Sequence, residues 1–256
     1  MKLAFAEQAA TQLLELLRPC CTWAAVAGSV RRQCPDVGDV ELVLVPSFVA
    51  NPYKGDLFGG PHVAQLDLLV EKLTALRAAQ QLVPRPSKTG QIAWGTRAIR
   101  AVYQWTAPRT GTRTPPTLHA PVDLFIVRPP AQLGLIYFIR TGDADYSARG
   151  LARWKEVSGG GWSEGGCLRD RDGKAVPTPT EEDVFRALRW TFVPPLLRGQ
   201  RTTDGADLEL PDAPPPTAAT TDCPHDWTGA LADAGDGAYR PTCLHCGRIR
   251  PPSDLT

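Results

Sequence analysis

At 256 residues, 43 % of them hydrophobic, the chain is long enough for one large domain or two small ones with a proper core. A net charge of +1 excludes general polyanion binding through bulk charge, so any nucleic-acid contact must come from local patches. No run of about eighteen apolar residues is present, which excludes a hydrophobic transmembrane helix. The seven cysteines, odd in number and scattered, fit a reducing compartment, and cytoplasmic is the expectation.

The opening MKLAFAEQAATQLLELL has apolar residues at helical spacing and acids at Glu7 and Glu15. It reads as an amphipathic helix over Leu3 to about Arg18, stopped by Pro19, rather than as a signal peptide. A short apolar strand is expected over Trp23–Ala27, then a turn at Gly28, then a strand over Asp39–Val45 closed by Pro46. A Gly- and Pro-rich loop, residues 51–61, leads into VAQLDLLVEKLTALRAAQ. Its Leu66, Leu69, Val70, Leu73 and Leu76 predict one apolar helix face. Strands are expected over Gln91–Trp94, Arg97–Trp105 and Val122–Val127. The order helix, strand, strand, helix, strands predicts an α+β fold, a mixed sheet with helices on one face.

After Pro129-Pro130, AQLGLIYFIRTG and ADYSARGLARWKEV read as two short helices. GGGWSEGGCLRDRDGKAV reads as a hairpin turning at Asp172-Gly173. A last helix starts in TPTEEDVFRALRW, with Thr180 as N-cap and Glu181, Glu182 and Asp183 at the positive end of its dipole. These segments set boundaries at 1–128, 129–198, a flexible Pro-rich linker over 199–222, and a small unit over 223–250.

The stretch AGSVRRQCPDVGDVELVLV carries the chemistry. Asp39 and Glu41, two apart on a strand, point to the same face. Two like charges there call for a cation. A third acid, Asp123, sits in the apolar strand PVDLFIV, where burial without a partner or a metal costs several kcal/mol. The Gly28-Ser29 turn, with Arg31 and Arg32 beside it, offers donors to an anion. Three acids facing such a turn suit two-metal phosphoryl transfer. Lys88, Arg97 and Arg100 are weaker candidates for a nucleic-acid backbone. Arg97 and Arg100, three apart, would turn to opposite faces of a regular strand and read as solvated.

Gly-Ser, nine residues, then Asp-Val-Glu on a strand resembles the signature of the polymerase-beta-like nucleotidyltransferase superfamily. RTGDADYS resembles the TGSxxFN motif of family X DNA polymerases. WSEGGCLRDRDGKAVPTPTEEDVFRALRWTFVPPLLR resembles the end of their thumb, so the likeness runs in order over residues 1–198.

The resemblance implies a palm at 1–128 and a thumb at 129–198. It implies two-metal transfer of a nucleotide from a dNTP or NTP to a nucleic-acid 3′ end, with release of pyrophosphate. Asp39, Glu41 and Asp123 would be catalytic and would ligate two Mg²⁺ (or Mn²⁺) ions per active site. Gly28, Ser29 and Arg32 would grip the β and γ phosphates, with Gly142, Tyr146 and Arg149 against the nucleotide; Arg153 is a further candidate contact. The partners implied are gapped or primer-template DNA and the nucleotide, with no membrane, for a monomer.

Departures from the pattern are specific. Glu41 replaces the usual second aspartate, Asp143 and Ser147 replace the motif's Ser and Asn, and Ile139-Arg140 occupy the places of the family's Tyr-Phe pair. Nothing upstream of the first helix corresponds to the family's lyase or helix-hairpin-helix modules, so deoxyribose-phosphate lyase activity is not expected. The other readings of the same residues are a nucleotidyltransferase acting on a small molecule or a protein, and an inactive zinc-containing nucleic-acid-binding protein.

The tail CPHDWTGALADAGDGAYRPTCLHCGRIR supplies Cys223, His225, Cys243 and Cys246 at spacings suited to tetrahedral Zn²⁺, with His245 a second choice to His225. So short a unit needs a metal to fold. It resembles zinc-ribbon-like tails, and Arg240, Arg248 and Arg250 offer charge to nucleic acid.

Overall fold

The computed structural model describes residues 1–50, 65–87, 89–107 and 115–199, and the backbone of 231–233 and 239–241. The expected zinc ligands Cys223, His225, Cys243 and Cys246, the linker beyond Gly199, and Lys88 lie outside the described residues. The described chain is a mixed α+β structure that divides into two compact units. One comprises Met1–Pro129, Arg140–Asp143 and Pro195–Arg198; the other includes Pro130–Ile139 and Ala144–Pro194.

The first unit begins with helix α1, Leu3–Leu17, which buries Ala6, Ala9, Ala10, Leu13 and Leu17 at the three- and four-residue steps of one helix face. Pro19 ends it, as expected, in a single tight turn over Arg18–Cys20. Strand β1, Cys21–Ala27, runs into α2, a single helical turn over Gly28–Arg31. Strand β2 covers Val40–Pro46, and β3, Phe48–Ala50, pairs antiparallel with β4, Gln65–Asp67.

Helix α3, Leu68–Ala78, is shorter than the expected pattern. Asp67 caps it by accepting the Val70 N–H at 3.0 Å, so Leu66 belongs to β4 and only Leu69, Leu73 and Leu76 are buried by the helix. Val70 is exposed instead.

Strands β5, Leu82–Pro84, β6, Ala98–Thr106, and β7, Thr117–Ile126, complete a five-stranded sheet in the order β1-β2-β7-β6-β5. The β2–β7 pair is parallel and the others are antiparallel, which makes the sheet mixed. Residues 91–94, expected as a strand, form only isolated bridges at Ile92 and Trp94. The core gathers Val40, Leu42 and Leu44 of β2, Ile99, Ala101, Tyr103 and Trp105 of β6, and Ala120, Val122, Leu124 and Ile126 of β7 with the buried faces of α1 and α3. Because strand side chains alternate, Glu41, Arg100 and Asp123 project from the opposite face.

The second unit holds most of α4, Leu133–Thr141, followed by α5, Ala144–Val157, and α6, Glu181–Ala187. The expected hairpin is a three-stranded sheet: β8, Trp162–Glu164, β9, Cys167–Arg169, and β10, Ala175–Val176. Gly165 and Gly166, at φ 62° and 82°, make its first turn, and Gly173, at φ 84°, closes the second. Leu135, Phe138, Tyr146, Trp154, Leu168, Val184, Phe185, Leu188 and Val193 form a separate core. Thr180 and Asp183 exchange a capping box at the start of α6. Near the C-terminus the backbone of β11, Leu231–Asp233, pairs antiparallel with β12, Tyr239–Pro241.

Candidate active site

The register of the sheet assembles the site in one transverse row. Ala27 on β1 stands opposite Glu41 on β2, Glu41 opposite Asp123 on β7, and Asp123 opposite Arg100 on β6. Arg85, one residue past β5, extends the row by donating its N–H to the Arg100 carbonyl at 3.0 Å. Asp39 immediately precedes β2.

Glu41 packs against the turn that follows β1. A Cβ on Gly28 would lie 2.0 Å from Glu41 Oε2, and Gly28 holds φ +61°, so both its missing side chain and its backbone are needed there. Burial, together with the charges of Asp39 and Asp123, raises the Glu41 carboxyl to about 7, although Arg140 and Arg32 pull it down. At neutral pH it is poised between its acid and carboxylate forms.

Asp123 is 7 % exposed, and its charge is met by arginine. Arg100 grips it through Nε, at 3.2 and 3.3 Å to its two oxygens, and through Nη2 at 2.9 Å. That hydrogen bond, the carboxylate beside it and Asp39 raise the Arg100 pKa further. Arg85 Nη2 lies 3.1 Å from Asp123 Oδ1 and 3.3 Å from Asp39 Oδ2. Sequence reading missed both roles, and expected Arg100 to be solvated. Arg97, just ahead of β6, is exposed.

Arg140, at the end of α4, stacks its guanidinium 3.8 Å over the Phe125 ring. Burial lowers its pKa while Glu41 and Asp123 raise it. Arg32 Nη1 donates to the Thr141 carbonyl at 2.6 Å, and Arg31 Nη1 donates to the Thr141 hydroxyl. The two arginines therefore hold the Thr141-Gly142 turn, and Gly28, Ser29, Arg32 and Gly142 belong to the same unit as the three acids. Tyr146 and Arg149 belong to α5 in the second unit, where Tyr146 is buried in the core and Arg149 lies 5.8 Å from its ring. Arg153 donates through Nε to the Leu188 carbonyl at 3.3 Å.

Among the described residues, no three His, Cys, Asp or Glu side chains stand together as a cage for a metal ion. Asp39 and Asp123 share an arginine nitrogen instead. The donor chemistry of Asp39, Glu41 and Asp123 nonetheless fits Mg²⁺ or Mn²⁺, which take oxygen ligands. The described cysteines Cys20, Cys21, Cys34 and Cys167 are free thiols. Burial, with Cys20 and Asp67 adding to it, pushes Cys21 up to about 12. No described helix is long and apolar enough to cross a membrane. No family model matches the chain, and no curated protein matches it.

Proposed function

We propose that this chain is a nucleotidyltransferase of the family X type, acting through a palm formed by its first unit and moving a nucleotide from a (d)NTP to a nucleic-acid 3′ end with release of pyrophosphate. The observation that carries the reading is the direct opposition of Glu41 and Asp123 on parallel neighbouring strands, with Asp39 two residues before Glu41 and the Gly28 turn packed on Glu41.

Asp39, Glu41 and Asp123 would hold the divalent ions. Bound there, such ions supply a more acidic 3′-hydroxyl nucleophile and charge neutralisation on the polyphosphate. Gly28 leaves room for the Glu41 carboxylate and, with Ser29, offers backbone donors to phosphate. Arg31 and Arg32 fix the Thr141-Gly142 turn beside those donors, a positioning part for Arg32 alongside phosphate contact.

One observation favours the inactive alternative: the charge of Asp123 is already met by two arginines. Primer extension separates the readings. Each dNTP and NTP is offered singly on single-stranded, blunt and gapped DNA, in Mg²⁺ and in Mn²⁺, with Asp39→Asn as control. Metal-dependent extension that Asp39→Asn abolishes supports the proposal, and template-following or base-indifferent addition assigns the enzyme type. No extension on any nucleic acid, with nucleotide turnover retained, favours a small-molecule or protein acceptor. Neither extension nor turnover favours the inactive binding protein.

A further inference from the structure

We propose that Arg85 is the resident counter-cation of the Asp39–Asp123 pair, and that a divalent ion enters the site by displacing its guanidinium. The inference rests on the reading of these acids as metal ligands. A single nitrogen, Arg85 Nη2, reaches both carboxylates, at 3.3 Å to Asp39 Oδ2 and 3.1 Å to Asp123 Oδ1. A divalent ion held by these two carboxylates would compete with Arg85 for the same oxygens.

The two arginines of the site hold on differently. Arg100 engages Asp123 alone, through Nε and Nη2, in the forked geometry that makes a strong pair. Arg85 uses one nitrogen at distances longer than the usual charge-assisted bond of about 2.7–2.9 Å. Its Nε is buried with no hydrogen-bond partner among the described residues. Only the Arg85 backbone is firmly set, by its N–H to the Arg100 carbonyl and by Pro84 and Pro86 on either side. The side chain is thus tethered at its base and loosely held at its tip, while Arg100 keeps Asp123 oriented throughout.

Displacement predicts that Arg85 opposes metal binding. Removing it takes away a competing charge a few ångströms from the ion's place, so metal affinity rises even as the metal-free fold loses an ion pair. An arginine that stayed in place would repel the ion through its charge as well, so a gain in affinity is necessary for displacement and movement of the Arg85 side chain decides it.

The test is Mn²⁺ binding, measured by the loss of the free-ion paramagnetic resonance signal, on the full chain as wild type, Arg85→Gln and Asp39→Asn. The expected result is Arg85→Gln binding at least about tenfold tighter than wild type, and Asp39→Asn losing the site. Equal or weaker binding by a folded Arg85→Gln, with Asp39→Asn still losing it, overturns displacement and leaves the metal reading standing. Asp39→Asn binding like wild type overturns the metal reading and the displacement with it, as does absence of binding in both wild type and Arg85→Gln.

Nitrogen-15 resonances of the arginine side chains in wild type, with Arg85 assigned through Arg85→Lys, supply a readout that does not depend on the Gln variant folding. Saturating Mg²⁺ shifts Arg85 and leaves Arg100 in place if the proposal holds, and an unmoved Arg85 overturns it.

Discussion

Glu41 and Asp123 face each other across the one parallel pair of the five-stranded sheet, their neighbours Leu42 and Leu124 pointing into the core and their own carboxyls to the other face. Asp123 is neutralised by arginine, whereas Glu41 carries its charge with difficulty and titrates at about 7. The pair thus divides into one carboxylate held by two arginines and one group that takes up a proton near neutrality.

The difference fixes a pH dependence for the metal-free protein. The folded pKa of Glu41, about 7, lies above its ordinary value of 4.5, so the folded state binds the extra proton between the two. The associated stability is fully present below the lower value and is lost as pH rises through the upper one. Relative to Glu41→Gln, wild type is expected to lose roughly 3 kcal/mol between about pH 4.5 and about pH 8. Urea melts of the two proteins across that range check it, and parallel curves would contradict it.

Gly28→Ala meets two obstacles at once: a φ of +61° and a Cβ 2.0 Å from the Glu41 carboxylate. The left-handed backbone alone costs of order 1 kcal/mol, and the overlap adds to it by pushing Glu41 out of line. The expected outcome is a loss of about 2–3 kcal/mol in stability, with nucleotide transfer lost more than that destabilisation explains. Thermal melts beside transfer assays measure both.

Asp39 and Asp123 are expected to respond differently to amidation. Asp39 is 34 % exposed and shares one arginine contact, so Asp39→Asn should change stability by less than about 1 kcal/mol. Asp123→Asn leaves two arginines facing a buried neutral amide and should cost about 2–4 kcal/mol. Both should abolish transfer. Denaturant midpoints of the two variants in the absence of metal test the ordering.

In the second unit, Gly134 donates its N–H to the Thr178 carbonyl at 2.9 Å, and a Cβ there would fall 1.9 Å from the Thr180 carbonyl oxygen. Gly134→Ala is therefore expected to destabilise this unit by at least about 1–3 kcal/mol. Hydrogen exchange of the buried core amides around Phe138 and Phe185 reads it out.

Local signals in the sequence located the elements whose ends carry their own chemistry. Pro19 stops α1, and Thr180 with Asp183 starts α6, because capping and proline geometry act within a few residues. Asp67 was such a signal too, but the apolar spacing of Leu66 continues that of α3 and hides the break that its cap makes. Strand β5 was missed because three residues that follow two glutamines and end in a proline carry no periodicity.

The acids were legible because a carboxylate inside an apolar strand is anomalous on its own. Their arginine partners were not. Arg85 and Arg100 meet Asp123 only through the pairing of β5, β6 and β7, and a spacing rule along one strand says nothing about what stands opposite on the next. The contacts of Arg31 and Arg32 with Thr141 are equally remote in sequence.

The central claim is tested most directly by counting pyrophosphate released per 3′ end extended, in Mg²⁺ and in Mn²⁺, for wild type and Asp123→Asn. One pyrophosphate for each nucleotide added by wild type, none without a divalent ion and none from folded Asp123→Asn is the predicted result. Extension that persists in Asp123→Asn, or that proceeds in chelator, would contradict the account.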